Sequence, residues 1–147
     1  MLLNHVPVVR KRRSALIPSR ASTGAAGWDL HACVEGEICL ESREKKLIPC
    51  GIAVCIPEGY VGLIFPRSGL SVKHGISLCN CVGVIDSDYR GEIFVALKND
   101  SNENYTIKSG DRIAQLIVLP FSPASFKEVN FLNDTERSEG AFGSTGR

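Results

Sequence analysis

The sequence predicts an all-β fold, either a sandwich or a barrel, in a single domain. Fourteen glycines and seven prolines are spread over the 147 residues and separate short runs rich in β-prone residues. Turn signals recur between these runs at the spacing typical of antiparallel β proteins. Segments with helical periodicity do not alternate with the runs, as a parallel α/β sheet would require. A chain of this length fits one domain.

Each element is predicted from its local pattern. The predicted strands are residues 46–56, 60–65, 76–85, 92–98 and 112–121, and the turns between them are 57–59, 98–104 and 108–111. One short helix is predicted over residues 68–74. We expect an N-terminal segment with the first strand (1–20), a β core (21–132) and an irregular C-terminal segment (133–147). The C-terminal segment is either a disordered terminus or a mobile, glycine-rich flap that carries Phe142.

The predicted strand at residues 112–121 is apolar on both faces. Within its run Ile113-Ala114-Gln115-Leu116-Ile117-Val118-Leu119, Gln115 is the one polar member. A strand that is apolar on both faces must be covered on both sides. In a chain this small we expect the second cover to come from another subunit, so an oligomer is predicted. Gln115 is then either paired or functional.

Charge and hydropathy exclude several classes of protein. Seventeen Lys and Arg face sixteen Asp and Glu, so no strong overall field attracts nucleic acid or an anionic membrane. No apolar run reaches the length of a membrane span, and the first residues lack a secretory pattern. We therefore expect an intracellular protein, cytoplasmic or nuclear, that binds neither nucleic acid nor membrane. The basic run Arg10, Lys11, Arg12, Arg13 is a nuclear-import or phosphate-binding patch, or a solvated strand end.

The six cysteines lie in apolar runs and are predicted to be buried free thiols rather than disulfides or zinc ligands. Cys79 and Cys81 are placed on one face of a predicted strand. The three histidines form no cluster with the spacing of metal ligands. Trp28 is predicted to lie in the core because its neighbours are small.

Residues 83–93 (GVIDSDYRGEI) place two carboxylates, a tyrosine and an arginine between apolar runs. This pattern predicts a β-hairpin, with Asp86 and Asp88 on one face and Tyr89 on the other. A carboxylate on a rigid element can orient and partly deprotonate a water, as hydrolysis requires. The alternative is an acidic hairpin tip in solvent.

Two further segments carry candidate chemistry. In Pro66-Arg67-Ser68-Gly69-Leu70, a cation with forked donors and a hydroxyl precede the predicted helix, which favours a phosphate seat. The alternative is a capped turn, and the segment is not a Walker loop. Asp29, after Gly27, could contact a water of a magnesium ion's shell or cap a turn.

Five segments in this order resemble the five motifs of the homotrimeric dUTPases. They are AGWDL (26–30), PRSGL (66–70), GVIDSDYRG (83–91), GDRIAQL (110–116) and GAFGSTG (140–146), and together they span almost the whole chain. The resemblance implies a jelly-roll-like distorted barrel with one short helix, assembled as a homotrimer whose sites are shared between three chains. It also implies hydrolysis of dUTP to dUMP and pyrophosphate with Mg²⁺, which keeps uracil out of DNA and supplies dUMP for dTMP synthesis.

The resemblance implies roles for individual residues. Asp86 matches the aspartate that activates the attacking water at the α-phosphorus, and Asp29 matches an outer-shell contact of Mg²⁺ through water. The phosphate-contacting positions are Arg67, Ser68, Gly69 and Gln115. The uracil and deoxyribose pocket is formed by Asn80, Gly83, Val84, Ile85 and Tyr89. A flap that closes over the nucleotide contributes Arg137, Phe142, Gly143, Ser144 and Thr145.

The chain departs from the family pattern in the flap, where Ser138 and Ala141 replace two glycines. A positive φ at Ala141 would strain the closed flap by roughly 1–2 kcal/mol. The principal alternative function is a non-catalytic, dUTPase-like regulatory binding module, but the matching catalytic and stacking residues are present. A dCTP deaminase is less favoured, because Ala96 occupies the position of the proton-shuttling glutamate of those enzymes.

Overall fold

A computed structural model of the chain describes residues 5–136 and 138–141, and it confirms the predicted all-β fold with one short helix. In this part of the chain there are eleven strands and one helix. The elements are β1 (Val8–Arg10), β2 (Trp28–His31), β3 (Glu37–Leu40), β4 (Lys45–Pro49), β5 (Ile52–Val54), β6 (Tyr60–Pro66), α1 (Ser68–His74), β7 (Ile76–Leu78), β8 (Gly83–Ile85), β9 (Phe94–Asn99), β10 (Tyr105–Lys108) and β11 (Arg112–Pro120).

The strands pair across long distances in sequence. A four-stranded sheet has the order β2-β11-β6-β8, a three-stranded sheet has the order β4-β9-β7, and β1-β5 and β3-β10 form two-stranded sheets. All of these pairings are antiparallel. One apolar core joins the four sheets, with Leu40, Ile52, Ile64 and Leu97 each contributed by a different sheet and each at most 3% exposed. Burial of such a side chain stabilises the fold by about 1.5–3 kcal/mol.

Helix α1 is found where it was predicted. Arg67 precedes it in an extended conformation (φ −90°, ψ 127°), and Gly75 follows it in the left-handed region (φ 67°, ψ 18°). The Gly75 N–H donates to the Ser71 carbonyl at 3.0 Å, which is a common way to end a helix. The buried Leu70 fixes α1 on the core, so Arg67 is held at a rigid strand-to-helix junction.

Two predicted strands are interrupted. The run 46–56 becomes β4 and β5, because the chain turns at Gly51, whose φ is +69°. A Cβ on Gly51 would lie 2.6 Å from Cys33 Sγ, so only glycine fits this position without movement. The run 76–85 becomes β7 and β8, and the turn between them contains Cys81 at a φ of 58°.

The predicted hairpin around residues 83–97 is wrong. Strand β8 pairs with β6, whereas β9 pairs with β4 and β7, so the two arms lie in different sheets. Residues between them cross from one sheet to the other and are fixed by Ile93, whose N–H donates to Ile52 O at 2.8 Å. Asp86 and Asp88 therefore lie in a turn, closed by the Tyr89 N–H and the Asp86 carbonyl at 3.2 Å, instead of on one face of a strand.

The core predictions are confirmed in part. All six cysteines are free, and Cys33 and Cys50 are buried, but Cys39 and Cys81 are exposed. Cys79 and Cys81 lie in the turn after β7 and not on a strand face. Burial raises the pKa of Cys50 to about 12.

Trp28 is not a core residue, since it is 41% exposed and the Arg20 guanidinium lies 5.0 Å from its ring centroid. Its strand, β2, is at the edge of its sheet, which leaves one side of the ring without a neighbouring strand.

Among the described residues, no helix is long and apolar enough to cross a membrane.

Candidate active site

Two clusters of predicted site residues lie at different places on the four-stranded sheet. The first, which we call the guanidinium cluster, consists of Asp29, Arg67 and Arg112. Asp29 is buried, and its two oxygens face different cations: Oδ1 lies 3.4 Å from Arg67 Nε and Oδ2 lies 3.2 Å from Arg112 Nη1. Arg67 Nη1 also donates to the Arg112 carbonyl at 3.0 Å. Two cations around one carboxylate leave a net positive charge that suits an anionic ligand.

Arg112 was not among the predicted site residues, although it lies in the segment GDRIAQL. The sequence feature that could have indicated Arg112 is a cation at the start of the strand that carries Gln115. In the fold, Arg112 pairs in register with His31 of β2, and Gln115 pairs with Asp29. This register brings Arg112 to Asp29, and no local pattern reveals it.

Gln115 and the start of α1 extend the guanidinium cluster. The Gln115 side chain packs closely over Gly27, since a Cβ there would lie 2.9 Å from Gln115 Oε1. Ser68 and Gly69 form the first turn of α1, where backbone N–H groups have no partner within the helix. A Cβ on Gly69 would meet nothing within 4 Å, so this turn faces open space.

His31 is a half-buried polar neighbour that sequence reasoning missed. Its Nδ1 is buried and has no hydrogen-bond partner among the described residues. Burial lowers the pKa of His31 below its usual value, and Asp29 partly opposes this effect. His31 therefore adds little positive charge to the cluster near neutral pH.

The second cluster surrounds a cavity of about 180 Å³, which we call the Asp86 pocket. It brings together Asp86, Tyr89 and the end of β8, with Glu92 as an additional polar member. The lining residues are Val84, Ile85, Asp86, Tyr89, Glu92, Ile93 and Phe94. The Tyr89 hydroxyl donates to the Glu92 carbonyl at 2.9 Å, and its ring lies against Gly91, where a Cβ would clash with it. Arg90 braces the turn by donating to the Ser87 carbonyl at 2.6 Å.

Asn80 lies in the turn before β8. Its Nδ2 is 3.6 Å from the position that a Cβ on Gly83 would occupy, so the amide lies beside the start of β8. Strand β8 is at the edge of its sheet and pairs there with β6. An edge strand has a row of backbone donors and acceptors that face away from its neighbour. Gly83, Val84 and Ile85 therefore offer a backbone edge next to the Asp86 pocket.

A single chain does not bring the two clusters together. Ile85, which precedes Asp86, pairs with Gly62 on β6, whereas Arg67 follows the other end of β6. Five residues of strand separate Gly62 from Arg67, which corresponds to about 16 Å. The Arg67 side chain also points towards Asp29 on β2, at the sheet edge opposite to β8.

Part of the predicted flap is described. Ser138, one of the two residues that replace glycines of the family pattern, has a positive φ of 40°. Strain at Ala141 in the closed flap stays a prediction. The Ser138 N–H and hydroxyl bond back to Thr135, with Ser138 Oγ donating to the Thr135 carbonyl at 2.7 Å. Arg137, Phe142, Gly143, Ser144 and Thr145 lie outside the described residues.

Metal binding by side chains alone is not indicated in residues 5–136 and 138–141. No group of three or more His, Cys, Asp or Glu side chains there could hold a metal ion. The two oxygens of Asp29 already face guanidiniums, which favours at most a contact through water. This donor set fits an ion held chiefly by a ligand's own oxygens and by water, as Mg²⁺ often is in phosphate sites.

The all-β fold, the guanidinium cluster and the Asp86 pocket define a candidate hydrolase of phosphoanhydride bonds. A family model described as dUTPase matches residues 13–146. The chain belongs to the dUTPase family.

Relatives and solved structures agree with this assignment. The chain is 51% identical to the deoxyuridine 5'-triphosphate nucleotidohydrolase of Finegoldia magna over 141 residues, covering 96% of this chain and 98% of that protein. A mutant dUTPase of Staphylococcus bacteriophage 80alpha, with dUpNHpp, has a TM-score of 0.89 at 32% identity, covering 99% of this chain and 100% of that one. A mutant dUTPase from phage phi11 of S. aureus, which coordinates a structural Mg(II) ion, has a TM-score of 0.79 at 30% identity, covering 87% and 98%.

Proposed function

We propose that this protein hydrolyses dUTP to dUMP and pyrophosphate, with Mg²⁺ as cofactor. In a cell this reaction keeps uracil out of DNA and supplies dUMP for dTMP synthesis. The observation that carries the proposal is the Asp86 pocket, where a carboxylate and a tyrosine share one small cavity beside an exposed backbone edge. Membership of the dUTPase family supplies the reaction class.

In the proposed mechanism, Asp86 accepts a proton from a water that attacks the α-phosphorus in line. A bond forms between the water oxygen and the α-phosphorus, and the bond from that phosphorus to the bridging oxygen of pyrophosphate breaks. Such phosphorus chemistry depends mainly on positioning and on charge neutralisation. Mg²⁺, held by the triphosphate and water with Asp29 as an outer-shell contact, would neutralise phosphate charge.

Phosphate binding is proposed for Arg67, Ser68, Gly69 and Gln115. Arg67 is oriented by Asp29 and by the Arg112 carbonyl, so little entropy is lost when it meets an anion. The free N–H groups of the first turn of α1 add donors next to it. The proposed flap residues Arg137, Gly143, Ser144 and Thr145 would contact the β- and γ-phosphates, and Phe142 would stack on uracil.

Recognition of the nucleoside is proposed for the edge of β8 and its neighbours. The backbone of Gly83, Val84 and Ile85, with the Asn80 amide, would pair with uracil. Tyr89 would lie under the deoxyribose and leave no space for a 2′-hydroxyl. Discrimination of this kind is strong, because the wrong sugar leaves groups clashing or unpaired.

A homotrimer with sites shared between chains is the proposed assembly. It is supported by the distance of about 16 Å along β6 between the two clusters, which one nucleotide could contact if they came from different chains. Apolar surface supports it as well. Phe126, Phe131 and Leu132 in the segment after β11 are each at least 83% exposed, and an apolar cavity of about 350 Å³ lies between Val8, Trp28 and Val118. Exposed apolar surface is typical of interfaces, which supports the proposed assembly.

Two side chains of the basic run make contacts within the fold. Arg12 pairs with Glu92, and Arg10 donates to the Ala15 carbonyl at 3.0 Å. Nuclear import through Arg10, Lys11, Arg12 and Arg13 therefore stays a prediction, as does an intracellular location.

Release of pyrophosphate from four nucleotides tests the proposal. With Mg²⁺, we expect turnover of dUTP and at least a hundredfold lower kcat/KM for dTTP, dCTP and UTP. Equal turnover of UTP would contradict the role of Tyr89, and binding of dUTP without any pyrophosphate would favour the non-catalytic alternative.

A further inference from the structure

Glu92 lies in the wall of the Asp86 pocket, and its carboxylate bonds to Arg12 and to the Gly51 backbone. Its Oε1 accepts from Arg12 Nε at 2.7 Å and from the Gly51 N–H at 3.0 Å, while Oε2 accepts from Arg12 Nη2 at 3.2 Å. A forked, bidentate pair of this kind fixes geometry as well as charge. Glu92 is thus joined to two segments that are distant in sequence.

The backbone around Glu92 is fixed to the same place. The Ile93 N–H donates to Ile52 O at 2.8 Å, and the Cys50 N–H donates to Ile93 O at 2.9 Å. The Gly51 carbonyl in turn accepts from the Lys11 N–H at 2.7 Å. Gly51 has a positive φ and is enclosed by Cys33 and Ala15, so this junction cannot shift easily. Arg12, Gly51 and Glu92 form one anchor, which we call the Arg12 anchor.

The Arg12 anchor connects directly to Tyr89. The Tyr89 hydroxyl donates to the Glu92 carbonyl at 2.9 Å, and the hydroxyl end of the ring lies against Gly91. Tyr89 is 42% exposed, so its ring is not enclosed by the core. The position of the ring therefore depends on the position of the Glu92 carbonyl, which the anchor fixes.

We propose that Arg12 and Glu92 are positioning residues that set the selectivity of the site for deoxyribose over ribose. This inference rests on the proposed function, in particular on the sugar-facing role of Tyr89. An anchored Tyr89 keeps the space beneath the sugar closed to a 2′-hydroxyl. A displaced Tyr89 admits UTP while the Asp86 chemistry continues. Arg12 thereby has a role that its place in an exposed basic run does not suggest.

The test compares kcat/KM for dUTP and for UTP in matched variants. The ratio used here is kcat/KM for dUTP divided by kcat/KM for UTP. Arg12→Gln and Glu92→Gln should each lower this ratio by about tenfold, mainly through a lower KM for UTP. Arg13→Gln is the matched control, since it removes an adjacent exposed cation outside the anchor and should leave the ratio unchanged. Arg12→Lys, which keeps the charge but not the fork, should restore the ratio in part.

Coupling to Tyr89 gives a second readout. Tyr89→Phe keeps the ring and removes the bond to Glu92, so it should lower the ratio as well. In the double variant of Tyr89→Phe and Glu92→Gln, the ratio should be no lower than in the more affected single variant. Both changes break the same connection, the one between Tyr89 and the Arg12 anchor. Thermal midpoints of all variants, measured in parallel, show whether a change in the ratio is accompanied by a loss of stability.

The outcomes separate this inference from the function on which it rests. Wild-type protein that fails to hydrolyse dUTP, or that uses UTP equally well, contradicts the proposed function. Wild-type selectivity with an unchanged ratio in Arg12→Gln and Glu92→Gln overturns the positioning role, whether or not these variants lose stability. An equal fall in the ratio for Arg13→Gln also overturns it, because the effect would then be one of surface charge.

Discussion

In the proposed mechanism, Asp86 accepts the proton of the attacking water. Its environment has two features that this role requires, namely a small cavity and a turn that is braced by Arg90. The carboxylate does not have to hold the nucleotide, since phosphate and uracil contacts are assigned elsewhere. Removal of its basicity should therefore separate turnover from binding.

Asp86→Asn is expected to lower kcat for dUTP by about a thousandfold, because a positioned general base contributes roughly 10²–10⁴-fold to the rate. Binding of a non-hydrolysable dUTP analogue should change by less than about threefold. Pyrophosphate release and titration calorimetry measure the two effects. Turnover at the wild-type rate would mean that another group accepts the proton.

Cys50 provides a residue-scale test of the core. Burial raises its pKa to about 12, so at pH 8 Cys50 of the folded protein is held in the unreactive thiol form. Iodoacetamide at pH 8 should leave Cys50 unmodified in the folded protein and modify it in urea, as mass spectrometry can show. Exposed Cys39 is the internal control. Labelling of Cys50 as fast as Cys39 in the folded protein would contradict the burial.

At the scale of elements, the turn between β4 and β5 connects the core to the Arg12 anchor. Gly51→Ala should destabilise the protein by about 2–5 kcal/mol, because its φ is +69° and a Cβ would lie 2.6 Å from Cys33 Sγ. Gly24→Ala is the control, since a Cβ there meets nothing within 4 Å, and its effect should stay within about 0.5 kcal/mol. Urea unfolding at one protein concentration measures both. Equal stability of the two variants would contradict the structure at Gly51.

Local elements could be predicted from the sequence, whereas their partners could not. Helix α1 has its own end signal in Gly75, and β11 has a long apolar run, so both were found at or near the predicted residues. The hairpin prediction was wrong because β8 and β9 each pair with strands distant in sequence. Such partners are chosen by the core that they bury, and a local pattern does not contain that information.

The residues of the candidate site show the same difference between local features, which could be predicted, and partners distant in sequence, which could not. Asp86 and Tyr89 are close in sequence, and the structure brings them to one pocket. Arg112 and Glu92 were missed because each acquires its partner across 80 or more residues, Arg112 from Asp29 and Glu92 from Arg12. Trp28 was wrongly placed in the core because its small neighbours suggested a cover that an edge strand lacks.

At the scale of the whole molecule, the guanidinium cluster and the Asp86 pocket point to an assembly. They lie about 16 Å apart along β6 and at opposite edges of one sheet. In the proposed trimer, one nucleotide would contact the guanidinium cluster of one chain and the Asp86 pocket of another. The exposed apolar residues after β11 supply surface for such an interface.

Complementation between two inactive chains tests this claim most directly. Arg67→Ala and Asp86→Asn chains, each inactive alone, would be unfolded together at equal amounts, refolded and assayed with dUTP. In random trimers with shared sites, about one-quarter of the sites combine an intact Arg67 from one chain with an intact Asp86 from another. We predict that the mixture recovers about a quarter of wild-type activity. Activity no higher than that of either variant alone, in trimers shown to contain both chains, would contradict the shared site.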